Sequence, residues 1–395
     1  METDDRTQSH RPARLWAPSA NMTRRALLRA TGLGLTGAGS AFLVGCGGKD
    51  EPYQAGRSGG EEPPPEVTRI RLVKHYSICT APQYLAREFL REEGFTDVEY
   101  VAQATLGESN ERIAAGRVDM TLNFAAPVAV SLDEGKALVA IGGVHSGCFE
   151  LTAADGIQLG AGLRGKRIAA TQARASATDF AFFASILQFV GIDPERDVTL
   201  ILVPPERIAR MLPDGLCDVV LTVPPLSQQL RTLKTGNVIL NSMVDKPWSD
   251  YECCLLIANP EFVEKNPVAT KRALRAILRA ADVCARDPER AARFLIENSF
   301  SSNYDYALDA MNSVPYGVWR DYSPEEALRF YSLRLHGTGH IKSMPDEIIK
   351  KGMDLRFFNE LKKELAFAPG LAPRGGFAMN CDIPRTDVHG PEVPS

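Results

Sequence analysis

The chain has 395 residues, 44% of them hydrophobic and 24% charged, with 45 basic against 49 acidic side chains and a formal net charge of −4. That balance is ordinary for a globular protein and sets aside fibrous, collagen-like and wholly disordered classes. It leaves no basic footprint for a nucleic-acid partner.

The first 46 residues carry two competing signals. Gly32, Gly34 and Gly37 spell G-x-G-x-x-G, but that fingerprint works only between a buried strand and the helix it opens. The polar stretch "RTQSHRPARLWAPSANMTRR" upstream is no strand. Arg24-Arg25 instead precede an uncharged, glycine-rich run that ends in Leu43-Val44-Gly45-Cys46. The run is too short and too mildly apolar for a membrane span. The two motifs together resemble a twin-arginine lipoprotein signal over residues 1–45, with cleavage before Cys46 and lipid on its thiol. Its removal would leave 39 basic against 46 acidic residues. Residues 46–67, "CGGKDEPYQAGRSGGEEPPPEV", are rich in glycine, proline and charge and read as a flexible linker.

From Thr68 strands and helices alternate. "TRIRLVKHY" reads as a strand, "APQYLAREFLREEG" as an amphipathic helix, and "DVEYVAQ" as a strand. "SNERIAAGRV" (short helix), "DMTLNF" (strand), "PVAVSLDEG" (helix) and "ALVAIGGVHSGCFELTA" (one or two strands) follow. A second set runs from "LRGKRIAA" through the strongly apolar helix "SATDFAFFASILQFVG" to the strand "NVILNSMV". "YECCLLIAN" reads as a buried strand, and helices dominate after it. Leu274, Ile277, Leu278, Ala281 and Cys284 form a core stripe on a helix over Val268–Cys284. Ser323, with Glu326 three residues on, has the capping-box pattern. The proline- and glycine-rich residues 366–395 read as a disordered tail. Alternating β and α elements predict an α/β fold.

Several stretches are similar to one family. "LRGKRIAATQARASATDF", "AAGRVDMTLNFAAP", "PDGLCDVVLTVPP" and "NPEFVEKNPVATKRALRAILRAADVC" resemble, in that order, segments of type 2 periplasmic solute-binding proteins. The branch resembled is the NMT1/THI5-like and nitrate–sulfonate–taurine one. The resemblance covers about residues 68–365 and implies two α/β lobes, each a sheet flanked by helices, that close on a solute. The chain would cross near Glu150–Ile157 and return near Asp245–Tyr251. Lobe 1 would comprise residues 68–153 plus 251–365, and lobe 2 residues 154–250.

The resemblance also implies where the solute sits. Candidates are His75, Tyr76, Ser77 and Thr80 after the first strand, and Asn123, Phe124 and Ala125 after the third. Arg174, Ser176 and Thr178 come before the apolar helix, where Ser176 and Thr178 also suit capping. Thr222 opens Thr222-Val223-Pro224, which departs from the aromatic-acidic-proline triplet of many members. Trp248, Tyr251 and Glu252 lie near the return crossing.

His145, Cys148 and Glu150 gather near one crossing and Cys253-Cys254 near the other, the kind of ligands a soft metal would need. Alternation along a strand argues that Cys253 and Cys254 cannot both point inward, so neither metal nor cofactor is expected. The implied function is a non-enzymatic, extracytoplasmic, lipid-anchored solute-binding protein of an ABC importer. Its partners would be a small organic solute, a permease, an ATPase and, through the anchor, a membrane, with no nucleic acid and a monomeric state. A thiamine-pyrimidine-like heterocycle fits the neutral and aromatic candidates better than an inorganic anion. A THI5-like pyrimidine-forming enzyme, a nitrate, sulfonate or taurine binder, and a sensory lipoprotein are the alternatives; the enzyme's C-C-C-x-C motif is not in this sequence.

Overall fold

The computed structural model describes residues 62–75, 77–103, 108–170 and 178–366, all within one packed unit. The signal, Cys46, Tyr76, Arg174, Ser176 and residues 367–395 lie outside the described residues, as does the side chain of Thr178.

The first α/β set comprises β1 (Arg69–Lys74), α1 (Ala81–Glu92), β2 (Asp97–Ala102), α2 (Glu108–Ala114), β3 (Met120–Phe124), α3 (Ala125–Asp133) and β4 (Val139–Ser146). The second comprises β5 (Glu150–Ala153), β6 (Arg167–Ala170), α4 (Thr178–Phe189), β7 (Thr199–Leu202), α5 (Pro205–Met211), β8 (Val219–Thr222), α6 (Leu226–Leu233) and β9 (Asn237–Asn241). The chain then returns through β10 (Glu252–Ala258) to a helical layer. That layer is α7 (Pro260–Lys265), α8 (Pro267–Arg286), α9 (Pro288–Glu297), α10 (Tyr304–Ser313), α11 (Pro324–Gly337), α12 (Pro345–Gly352) and α13 (Arg356–Ala366).

Strand pairing separates two lobes. β1 pairs with β2 in parallel, and β10 lies antiparallel between β3 and β4. All seven residues of β10 are buried, as a central strand covered on both faces requires. The five-stranded sheet of the second lobe runs β7-β6-β8-β5-β9. β5 hydrogen-bonds to β8 and β9, so its residues, expected at the end of lobe 1, sit in the sheet of lobe 2. The crossing is therefore the short segment between Ser146 and Glu150.

The crossings lie side by side. Ser242, just after β9, accepts hydrogen bonds on its Oγ from the amides of Cys148 (3.1 Å) and Phe149 (2.8 Å). Its amide donates to the Phe149 carbonyl at 2.9 Å. Gly147 has φ +48°, and a Cβ there would meet the Ser242 carbonyl oxygen at 2.3 Å. Glycine alone permits both that backbone conformation and that approach.

The apolarity of α4 has a cause: it packs against α3 and α11 of the first lobe. Residues 62–67 are not a free linker. Glu66 caps α8 by accepting from the amides of Val268 (3.0 Å) and Ala269 (2.8 Å). Arg272 donates to the carbonyls of Glu62 and Pro63, and Arg275 pairs with the Glu62 carboxylate. Ser323 caps α11 through the Glu326 amide, as its spacing predicts.

Candidate functional site

At one edge of the β3-β10-β4 sheet, β3 and β4 end where β10 begins, with Cys254 opposite Phe124 on one side and His145 on the other. Ligands of α/β proteins collect at such strand ends. The 3-10 turn Ile78–Thr80 after β1 meets the second lobe here. The Ile78 amide (3.1 Å) and the Ser77 hydroxyl (3.0 Å) both donate to the Pro224 carbonyl. A second cross-lobe contact is ionic: Arg231 of α6, which also bonds Glu150 within its own lobe, pairs at 2.5 Å with Asp309 of α10. Burial raises the Glu150 carboxyl above its ordinary range, and Arg231 partly offsets this.

Several sequence-predicted residues are occupied within the protein. His75 Nε2 lies 2.9 Å from Thr121 Oγ1, and its Nδ1 lies 3.0 Å from Gln103. Burial holds its imidazole down at about 4, hence neutral at pH 7. The Thr80 hydroxyl donates to the Ser77 carbonyl (2.8 Å). Asn123 donates to Asn110 (2.6 Å) and accepts from the Phe124 amide (2.8 Å). Ala125 is the buried first residue of α3. Trp248 is buried with its ring edge-on to Phe189, although its indole Nε1 has no hydrogen-bond partner, and Tyr251 stacks on Phe330 at 4.0 Å.

Other predicted residues are buried where the lobes meet, two of them with polar atoms left without hydrogen-bond partners. Phe124 joins an aromatic ladder that crosses the lobes, 4.7 Å from Phe149, which in turn stacks on Phe182 at 3.6 Å. The buried hydroxyl of Thr222 has no hydrogen-bond partner, nor has Nε2 of Gln228 in the first turn of α6. Both carboxylate oxygens of Glu252 are buried and unpartnered. Burial pushes that carboxyl up to about 8, with Lys362 and His145 opposing. Gly143 makes room for it: a Cβ there would come within 2.0 Å of the carboxylate.

Beneath the cross-lobe contact lies a fully buried thiol–imidazole centre. One donor atom from each of Cys79, His145, Cys148 and Cys254 lies within 4.8 Å of the others. Cys253 Sγ is 3.4 Å from Cys148 Sγ. The alternation argument fails here because β10 is irregular. Glu252 faces Ser146 and Cys254 faces His145, so Cys253 is an extra residue in the strand. Such a bulge breaks the two-residue period and lets both sulfurs approach Cys148. His145 Nδ1 sits 3.2 Å from the carbonyls of Ser146 and Gly147, and its Nε2 has no partner. Burial would depress this imidazole, but the facing Cys254 holds it well above its usual value. Cys254 is held below the usual thiol range despite burial, by contacts from Cys148, Cys253 and Cys79 and by the His145 charge.

Sequence reasoning did not single out Phe149, Phe182, Gln228, Ser242 or Cys79. Cys79 carries a signal in retrospect, as a thiol in the loop that follows the first strand.

The sequence profile of the NMT1-like family matches residues 61–296. The chain belongs to that family. The match spans all three sheets and runs through α8 into α9. No curated protein matches the chain. Among solved structures, the periplasmic nitrate-binding protein NrtA from Synechocystis PCC 6803 is similar at 17% identity and a TM-score of 0.67, over 78% of this chain and 92% of that one. The periplasmic aliphatic sulphonate-binding protein SsuA from Escherichia coli aligns at 14% identity and a TM-score of 0.57, over 74% and 100%. A Candida albicans protein described as having the generic periplasmic-binding-protein fold aligns at 10% identity and 0.58, over 73% and 96%. The NMT1-like chain thus has the two-lobed α/β fold of periplasmic binding proteins, and the neighbours named for a ligand are binding proteins. No helix among the described residues is long and apolar enough to cross a membrane.

Proposed function

We propose that this chain is the exported solute-binding clamp of an ABC importer. It captures a small organic solute between its lobes and presents it to a permease driven by an ATPase, and it turns over no substrate. Lipid on Cys46 would hold it at the outer face of the cytoplasmic or other cell membrane. One observation supports the site above all: Thr222 Oγ1 and Gln228 Nε2 are buried and unpartnered within four residues of Pro224, where the lobes touch. An unsatisfied buried polar atom costs about 1–3 kcal/mol. A solute that supplied the missing partners would favour the closed state by that differential and so drive closure.

The solute class follows from the groups at hand. The Phe124–Phe149–Phe182 ladder is buried with the lobes together, and its Phe124 face would become available to a solute only as they part; each stacked partner would contribute about 0.5–1.5 kcal/mol beyond area burial. Thr222 and Gln228 offer uncharged hydrogen bonds. Arg231, the cation on α6, is already committed to Glu150 and Asp309. These features favour a flat, uncharged heteroaromatic solute, such as an aminopyrimidine, over nitrate or a sulfonate. Native mass spectrometry of the purified chain should reveal a co-purifying organic ligand. Calorimetry should give tight aminopyrimidine binding, weakened about tenfold by Thr222→Val. Tight nitrate or taurine binding that is indifferent to Phe124→Ala would overturn the solute class, and substrate turnover would overturn the binding role.

A further inference from the structure

Four donor side chains that solute binding does not require meet in the interior. We propose that Cys79, Cys148 and Cys254, through Sγ, and His145, through Nε2, bind one resident zinc ion. The four come from separate stretches of chain: the turn after β1, the end of β4, the crossing, and the start of β10. All four residues are 0% exposed, yet their donor atoms converge within 4.8 Å. Zinc–sulfur bonds of about 2.3 Å and zinc–nitrogen bonds of about 2.0–2.1 Å put tetrahedral donors roughly 3.5–3.8 Å apart. The observed spread closes to that with shifts under about 1 Å, within the reach of side-chain rotations.

The imidazole is already set up as a ligand. Two backbone carbonyls at 3.2 Å hold Nδ1, the outer-sphere contact that fixes tautomer and ring orientation in metal-bound histidines. Nε2 is left buried with no partner. Without a cation, that atom is an orphan and the thiols crowd one another in a low-dielectric interior. A dication supplies the missing partner, and each coordinating thiol releases its proton to solvent as it binds.

The ligand set selects the ion. Three thiolates and one imidazole in a tetrahedral shell suit zinc, which imposes no geometry of its own. Four protein donors leave no open position, the mark of a structural rather than a catalytic site. The ion would be resident whatever solute the cleft takes, joining the turn after β1 to both crossing segments. The competing arrangement is a Cys148–Cys253 disulfide, since those sulfurs lie 3.4 Å apart; bonding would bring them to about 2.05 Å and remove Cys148 from the ligand set.

The test uses the full chain, purified without chelator, with zinc as the probe. Elemental analysis should find one zinc per chain surviving dialysis. Cobalt substituted for zinc should show sulfur-to-cobalt charge transfer and the intense ligand-field bands of a tetrahedral site. Cys254→Ser and His145→Gln should each lower zinc retention by tenfold or more. Cys253→Ser and the remote Cys217→Ser and Cys284→Ser should retain it. If the ligand variants fail to fold, the cobalt spectrum of the unaltered chain decides. No stoichiometric zinc after titration, or cobalt bands without a sulfur signature, overturns the proposal. So does an intact mass lower by two hydrogens, which marks the disulfide.

Discussion

His75 follows the strand that the sequence predicts, in a loop that the family resemblance makes ligand-facing, yet its ring is engaged by Thr121 and Gln103. Sequence reveals where a side chain is; it does not reveal a partner 46 residues away. The consequence is a pH dependence with a definite sign. The folded ring protonates only near pH 4, whereas the unfolded ring does so near its ordinary 6.5. Stability is therefore fully present above pH 6.5 and is lost as pH falls from 6.5 toward 4, by up to about 3 kcal/mol for this group. The His75 ring resonances should stay unshifted between pH 8 and 5, and His75→Gln should flatten the acid limb of urea unfolding measured across that range. A ring that titrates near 6.5 would refute the assignment. Cys253 and Cys254 teach the companion lesson. A two-residue period is a fair rule for a regular strand, and the rule broke because the register of β10 against β4 shifts at Cys253, the first of three such shifts along the pair. Nothing in "YECCLLIAN" marks a bulge, which arises from pairing with β4.

At the scale of elements, the sequence was most readable where one element's own residues decide its form. The alternation of β1, the amphipathic stripe of α8 and the Ser323 cap of α11 all appear where their patterns place them. Boundaries set by partners were less readable. β5 belongs to the sheet of the second lobe because β8 and β9 flank it, and residues 62–67 are ordered because α8 presents Arg272 and Arg275 to them. Their proline- and acid-rich composition gives no hint of that docking. One side chain bridges the crossings beside the backbone bond from Ser242 to Phe149. Ser242→Ala would remove the acceptor for two buried amides, at about 1 kcal/mol or more for each. We expect a loss of about 2–3 kcal/mol in urea unfolding with the slope unchanged, and Ser242→Thr should recover part of it. A neutral Ser242→Ala would show that the two crossings are held together by other contacts.

For the whole molecule, the order of elements and the four family-like stretches made the two-lobed architecture readable before any coordinate. The floor of the cleft was less so, because its aromatic ladder and its thiol centre are assembled from both lobes and both crossings. The lobes meet through Pro224 and through the Arg231 pair with Asp309, while the Arg231–Glu150 pair lies within the second lobe. Asp309 is half-exposed, so its arm of the pair contributes little, about 0–1 kcal/mol. Arg231→Ala should therefore bias the clamp toward opening without unfolding it. Small-angle scattering of the solute-free protein should show a larger radius of gyration for Arg231→Ala, and saturating solute should bring both proteins to the same value. Identical solute-free profiles would mean that Arg231 does not govern closure.

The chain runs out of the first lobe once and back once, through neighbouring strands that share the Ser242 side chain. Everything between Ser146 and Glu252 is one uninterrupted passage, and the residues from 62 to 146 and from 252 to 366 belong to the other body. In its covalent path the second lobe is in effect a cassette, joined to its host at a single two-stranded socket, with α4, Pro224 and Arg231 packing against the host without being linked to it. Sequence change within it can reshape one wall of the cleft while leaving untouched the host lobe, to which residues 62–67 are fastened and which therefore bears any pull from a tether upstream. The two jaws are thus unequal: one is the handle, and the other is the part that can be exchanged.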